Sequence, residues 1–474
     1  MTLPCASSGI STKVWIVDLT GKANAFAFFL LKGHGMDQQP GDTDNALIDE
    51  IRRRLLKGMG VAAGMMALSP VLSLSDAFAA SGQSSGSSAQ YVYVGTYTGP
   101  NTAPGGVAPS QARGIYVFRM DSEQGGLTQV QVMAAENPSF LALSPNRRYL
   151  YSVNELGPDA AGKPQGQVSA YRIDPSSGEL AFINTRPTQG TWTCHCSVHP
   201  SGRYLFASNY GTGSFSVFPL GENGEIGEMS DLVESPPNGL GPDGVRQEGA
   251  HAHMMITGPG GHHVFGLDLG ADRLLAFTLD MDSGRLSPGP VPYANVASGS
   301  GCRHMVFHPQ KPFAYVLNEL SSTVDVFDFY PERGSFIHVQ ALSTLPADSE
   351  FGRPVFNPDN PGEVPGGSNT TAELRIHPQG RFLYATNRGM NSIAMFEVNT
   401  QSGHLTNTGW VASGGEIPRG MNLDPAGRFL YVGNQNSDTI NVFRIQADNG
   451  KLEGPVQTIG SPVPVDFVFN AVNG

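Results

Sequence analysis

The chain has 474 residues, a formal charge of −12, 59 glycines and 35 prolines. Glycine and proline together account for 94 positions, which is too much punctuation for a helical bundle or coiled coil and suits many short strands joined by turns. A hydrophobic fraction of 39% suffices for a core, and 29 basic against 41 acidic residues leave no basic face for a nucleic acid, although a local arginine cluster remains possible.

Residues 52–57 read RRRLLK and precede the apolar run GMGVAAGMMALSPVLSLS and the small-residue pattern Ala77-Phe78-Ala79. A charged segment, an apolar segment and a cleavage site in this order form an export signal. Arg52, Arg53, Leu55, Leu56 and Lys57 are similar to the twin-arginine (Tat) pattern. The run is short and rich in Gly and Ser for a bilayer span. We therefore read 1–79 as N-terminal extension and signal peptide, 80–90 as a flexible linker, and 91–474 as the folded domain. The expectation is export by the Tat machinery to the periplasm, with no stable membrane insertion after processing. Cys5 leaves with the leader. Cys194 and Cys196 are awkwardly spaced for a mutual bridge, so these two and Cys302 are expected as buried thiols.

From residue 91 onward one phrase recurs: a proline, a short turn, and a strand ending near Asn or Asp. It reads PNRRYLYSVNE (145–155), PSGRYLFASNY (200–210), PGGHHVFGLDL (259–269), PQKPFAYVLNE (309–319), PQGRFLYATNR (378–388) and PAGRFLYVGNQ (425–435). A second strand follows each copy, then a Gly-containing turn and a third apolar stretch. A unit of about 50 residues with three or four strands is a propeller blade. Six copies are explicit, and YVYVGTYT (91–98) begins a partial seventh that lacks its first strand. The C-terminal VPVDFVFN (463–470) supplies the missing strand, and closing the ring with it removes an exposed edge. The predicted fold is all-β, a seven-bladed β-propeller closed by pairing the C-terminal strand with the N-terminal blade. The insertions 99–112, 231–250 and 346–371 are predicted to rim one face.

Aligning the copies on their proline exposes two columns. Six residues before it stand Ser139, Cys194, His253, Arg303, Ala372 and Arg419; ten after it stand Glu155, Tyr210, Leu269, Glu319, Arg388 and Gln435, with Tyr97 from the partial copy. The first column lies on the strand that lines the central channel, the second at the end of the next strand. Charged groups near a shared axis are costly unless they pair with one another or meet a ligand. Inter-blade ion pairs would explain them structurally. A site would explain them functionally, because Arg suits an oxyanion, carboxylate or phosphate and His or Glu can move protons. The HxH pair His251 and His253 could chelate a transition metal. His199, His308 and His377 instead precede the repeat proline as part of the repeat, and the repeat asparagines are read as strand-end caps.

YVYVGTYT with RGIYVF, HAHMM, DLGADRLLAF, CRHMVFHP, YVLNELSSTVDVF, ELRIHPQGRFLYATNRG, PRGMNLDPAGRFLYVGNQNSDTINVF and SPVPVDF together resemble the lactonase-type β-propeller family, over residues 91 to 470. That family includes bacterial 6-phosphogluconolactonase and the fungal carboxy-cis,cis-muconate cyclase. The resemblance implies a small-molecule lactone as substrate, no cofactor, no required metal, and a central site of one His, two Arg and one Glu. These fall on His253, Arg303, Glu319 and Arg388 as catalytic candidates, with His251 competing for the histidine role. His251, Arg419, Glu155, Tyr210 and Gln435 are the substrate-binding candidates. Cys302 stands where the family usually has Pro. In the expected chemistry Arg303 or Arg388 stabilises the developing oxyanion, while Glu319 and His253 divide the proton transfers in either order. The alternatives are a non-catalytic periplasmic propeller that binds a ligand or protein, and a muconate-type cyclase.

Overall fold

The computed structural model describes residues 90–99, 110–236 and 239–471. The expected signal peptide and the linker residues 80–89 lie outside them. In the described residues, 28 strands form seven four-stranded antiparallel sheets. Six are consecutive meanders, numbered here as blades 2 to 7. They start from the inner strands Leu141–Leu143, Thr193–Val198, Ala252–Thr257, Cys302–Phe307, Thr371–Ile376 and Pro418–Leu423. Blade 1 takes Gln90–Thr96, Gly114–Met120 and Leu127–Ala134 from the start of the propeller and its inner strand, Pro464–Ala471, from the end. That strand pairs from Tyr91–Asn470 through Val94–Phe467. Each of the seven inner strands touches its two neighbours, so the ring is closed.

The repeated phrase explains the packing. In blades 2 to 7 its strand is buried along all six residues, because it is sandwiched between adjacent blades. The apolar clusters accordingly lie between blades. Val92, Phe118 and Phe467 of blade 1 pack on Phe429 and Tyr431 of blade 7. Phe382 and Tyr384 of blade 6 pack on Met421 and Leu430 of blade 7.

In blades 5, 6 and 7 the tyrosine in the phrase ties the blade to the next, its hydroxyl donating to a turn carbonyl: Tyr315 to Gly403 at 3.1 Å, Tyr384 to Gly450 at 2.7 Å and Tyr431 to Gly125 at 2.7 Å. The last of these joins blade 7 to blade 1. Gly450 takes φ 70°, and a Cβ there would lie 2.3 Å from the Phe382 ring, so the turn needs glycine for both dihedral and space. The repeat histidines do similar structural work: His199 and His377 each donate to a glycine carbonyl of the following blade, Gly261 and Gly427, at 2.9 Å.

Candidate active site at the hub

Two backbone devices turn the columns toward the axis. In blades 3, 4, 5 and 7 the inner strand slips by one residue against its neighbour, leaving Cys194, His253, Arg303 and Arg419 unpaired in the ladder. These are first-column residues, and a bulge of this kind re-aims the side chain it carries. The second column is set by a recurring bond. The N–H groups of Glu155, Tyr210, Glu319, Arg388 and Gln435 donate to the carbonyls of Asn137, Trp192, Gly301, Thr370 and Ile417 at 2.7–3.0 Å. Trp192 and Ile417 hold φ of 49° and 55°, a costly conformation for a bulky and for a β-branched residue.

Glu319, 2% exposed, is the centre of the resulting cluster. Its Oε1 accepts from Arg246 Nη2 at 2.7 Å and pairs with Arg388 Nη2 at 3.0 Å, and its Oε2 accepts from Arg303 Nε at 3.0 Å. Burial alone would raise its pKa, but the Arg388, Arg246 and Arg303 charges outweigh it and hold the carboxyl well below the usual range. Burial pushes Arg388 down to about 9, against the pull of Glu319. Above the cluster opens a cavity of about 520 Å³, the size class of small-molecule sites. Glu319, Arg246, Arg388, Arg419, His253 and Tyr210 all line it. Arg303 does not; it lies behind Glu319, and its Nη1 donates to the Ala372 carbonyl.

The two histidines of the HxH pair occupy different environments. His253 is fully buried, and burial, followed by the Arg303 charge, drives its pKa well below that of an ordinary imidazole, so the ring is neutral at neutral pH. His251 stacks on Tyr210 with ring centroids 4.3 Å apart; its Nδ1 lies 3.0 Å from the Tyr210 carbonyl and its Nε2 3.1 Å from Glu248 Oε1. The Tyr210 hydroxyl accepts from Arg246 Nε at 2.9 Å, and burial raises its pKa to about 12, so it keeps its proton for donation. Glu155 is engaged by Tyr97 at 2.8 Å and by Ser139. Gln435 Oε1 is buried without a hydrogen-bond partner among the described residues. Among the described residues no three His, Cys, Asp or Glu side chains converge as a metal-binding group. Cys194, Cys196 and Cys302 are buried free thiols.

A model of the lactonase seven-bladed β-propeller family matches residues 91–469. The chain belongs to that family. It is 36% identical over 314 residues to the 6-phosphogluconolactonase of Bacillus subtilis, covering 66% of this chain and 79% of that protein. It is 33% identical over 303 residues to the protein of the same name from Enterobacter sp., covering 64% of this chain and 79% of that one. Among solved structures, the periplasmic gluconolactonase of Pseudomonas aeruginosa superimposes with a TM-score of 0.70 at 30% identity, over 81% of this chain and all of the other.

In this lactonase-family propeller, the structure gathers nearly all the candidates chosen from the sequence. His253, Glu319 and Arg388 share the cavity wall with His251, Arg419, Glu155, Tyr210 and Gln435. The insertions 231–250 and 346–371 also reach it, through Val245, Arg246 and Glu248 and through Asn360–Val364. Arg246 was absent from the sequence-based candidates because it stands in an insertion and has no counterpart in the repeat. A signal was available: Arg246-Gln247-Glu248 is a polar run that ends two residues before HAH in an otherwise Gly- and Pro-rich loop. The loop is pinned from below, where Gln247 Nε2 donates to Asp272 Oδ1 and to the Leu269 carbonyl, both at 2.9 Å.

Proposed function

We propose that the protein hydrolyses a lactone by water attack in the hub cavity. The observation that carries this reading is a neutral, buried His253 beside an ionised Glu319 gripped by three guanidiniums, under a cavity of substrate size. A carboxylate so strongly held in its charged form is a poor proton acceptor, so Glu319 orders the arginines and His253 takes the proton of the attacking water. The carbonyl oxygen, as it gains negative charge, meets the Tyr210 hydroxyl, polarised by Arg246, and Arg388, whose Nη1 makes no hydrogen bond among the described residues. Protonation of the leaving alkoxide is assigned to the His251–Glu248 pair, because both residues line the same cavity. The names of the relatives, 6-phosphogluconolactonase and gluconolactonase, support an aldonolactone as the substrate class.

The same proposal places the enzyme in the periplasm after twin-arginine export. The sequence pattern at residues 52–79 supports this, as does the periplasmic description of the Pseudomonas relative. No helix among the described residues is long and apolar enough to cross a membrane. The test is a lactone panel on purified protein with and without chelator, beside the Glu319→Gln variant. Turnover that survives chelation and collapses in the variant supports the reading. No turnover on any lactone overturns it in favour of a binding propeller, and ring closure in place of opening overturns it in favour of a cyclase. Recovery of the protein only in the cytosol overturns the location.

A further inference from the structure

Arg246 is held by more than its polar partners. Its Nε donates to the Tyr210 hydroxyl at 2.9 Å and its Nη2 to Glu319 Oε1 at 2.7 Å. Against the guanidinium lies the Phe356 ring, its centroid 4.9 Å from the guanidinium carbon. Phe356 comes from the other insertion, 346–371, and is buried. It packs with Leu269 and Leu320, which are fully buried, and against Tyr210 and Val245. Leu269 is the aliphatic member of the second column, so blade 4 offers an apolar seat where blades 2, 3, 5, 6 and 7 present a polar group.

The same ring fastens a lobe. The N–H of Gly352 donates to the Gly367 carbonyl and that of Asn369 to the Gly352 carbonyl, both at 3.0 Å, which closes the neck of residues 353–367. Asn360–Val364, in the middle of this lobe, line the hub cavity. Among the described residues, 354–364 hydrogen-bond only with one another, as from Asn360 Nδ2 to Glu363 Oε2 at 2.6 Å. Val355, beside Phe356, is 86% exposed. Beyond the neck and a bond from Arg353 to the Gly299 carbonyl, the lobe is fastened to the hub by the Phe356 ring. A segment with so few bonds to its surroundings opens at lower free energy than the strands of the blades.

We propose that Phe356 is a positioning residue: its ring aligns the Arg246 guanidinium, and because the same ring fastens the lobe, covering the cavity and setting Arg246 against Tyr210 and Glu319 are one event. This rests on the lactonase reading and adds to it a residue that acts through Arg246. The negative face of an aromatic ring attracts a guanidinium, and for a desolvated pair the attraction corresponds to roughly a 2- to 30-fold preference for the aligned state. The effect on rate is bounded by that of losing Arg246 itself, about tenfold.

The experiment is a double-mutant cycle of Phe356→Leu with Arg246→Met, read as kcat and KM on the lactone that wild type opens fastest. Beside it, Phe356 is replaced by trifluorophenylalanine, which keeps the shape of the ring and removes the negative charge from its face. Phe356→Leu should lower kcat/KM about two- to tenfold, mostly through kcat, and the fluorinated ring should reproduce that loss of kcat. In the Arg246→Met background Phe356→Leu should have no further effect. Equal losses in both backgrounds, or full activity with the fluorinated ring, overturns the proposal. Amide hydrogen exchange over residues 353–367 reads the same coupling without turnover. Arg246→Met should speed it roughly 2- to 30-fold, because alignment and fastening are reciprocal. Unchanged exchange overturns the proposal. If wild type opens no lactone, the lactonase reading fails, while faster exchange in Arg246→Met still upholds the tie between lobe and guanidinium.

Discussion

The channel of this propeller holds two buried polar clusters, and they differ in what they leave over. In the first, Glu319 gathers Arg246, Arg303 and Arg388 beneath an open cavity, with donors at Arg388, Tyr210 and Arg419 still unused. Deeper in the channel, Glu373 pairs with His304 Nδ1 at 3.1 Å and Arg375 Nη1 at 3.2 Å, and Arg375 Nη2 lies 3.8 Å from Asp466. His304 packs against the rings of His195 and Phe140, at 5.8 Å each. The Glu373 carboxylate serves its own neighbours, and it does not line the cavity. Both clusters contain a buried carboxylate, arginines and histidine. Space and uncommitted donors, rather than charge density, separate a site from a strut.

The largest expected effect tests the first cluster. Glu319→Gln leaves three guanidiniums without their counter-charge, and kcat/KM should fall by about 10³ or more. Removing one partner of a buried pair also costs about 3–5 kcal/mol, so chemical denaturation should show a clear loss of stability. If that variant stays nearly as active as wild type, the comparison itself fails. His253→Asn should lower kcat by about 10². Burial holds the wild-type ring neutral, so protonation, which would remove the base, sets in only well below the ordinary imidazole range. The wild-type pH–rate profile should therefore stay flat from about pH 6 to 8. An acid limb centred in the ordinary imidazole range would remove His253 from the role. Arg246→Met should cost about tenfold in kcat/KM, read by steady-state kinetics, because Tyr210 loses its polarising donor and Glu319 one of three partners.

The second cluster should answer with stability more than rate. Glu373→Gln is expected to lower the unfolding free energy by about 3–5 kcal/mol while leaving kcat/KM within about tenfold of wild type. A larger activity loss would show that the strut is coupled to the site through His304 and Arg303. The smallest effect concerns Asp466, whose pKa burial raises to about 7 despite Arg375. A carboxyl raised in the folded state binds its proton more tightly than in the unfolded chain. Its contribution is therefore present in acid and lost as pH rises through about 7. The melting temperature of wild type should fall more between pH 5 and 8 than that of Asp466→Asn.

Much of the site was legible because the fold is a repeat. Once six copies are aligned, a deviation such as His253, Glu319 or Arg419 has a defined address at the hub. Arg246 had no such address, since an insertion is outside any repeat register, and its position depends on Gln247 meeting Asp272 and Leu269 in three dimensions. The division of labour among the arginines was equally hidden. Arg303 and Arg419 share one column, each in the bulge of its own inner strand, yet Arg303 lies behind Glu319 while Arg419 lines the cavity.

The amino-acid order alone determined the seven blades, the closure by the last strand and the two columns, because local periodicity and turn chemistry are written residue by residue along the chain. Tertiary structure decided which cation pairs with which carboxylate, which histidine is neutral, and which arginine reaches the cavity wall. Those properties depend on burial and on distances of a few ångströms between blades, and no spacing within a single copy encodes them.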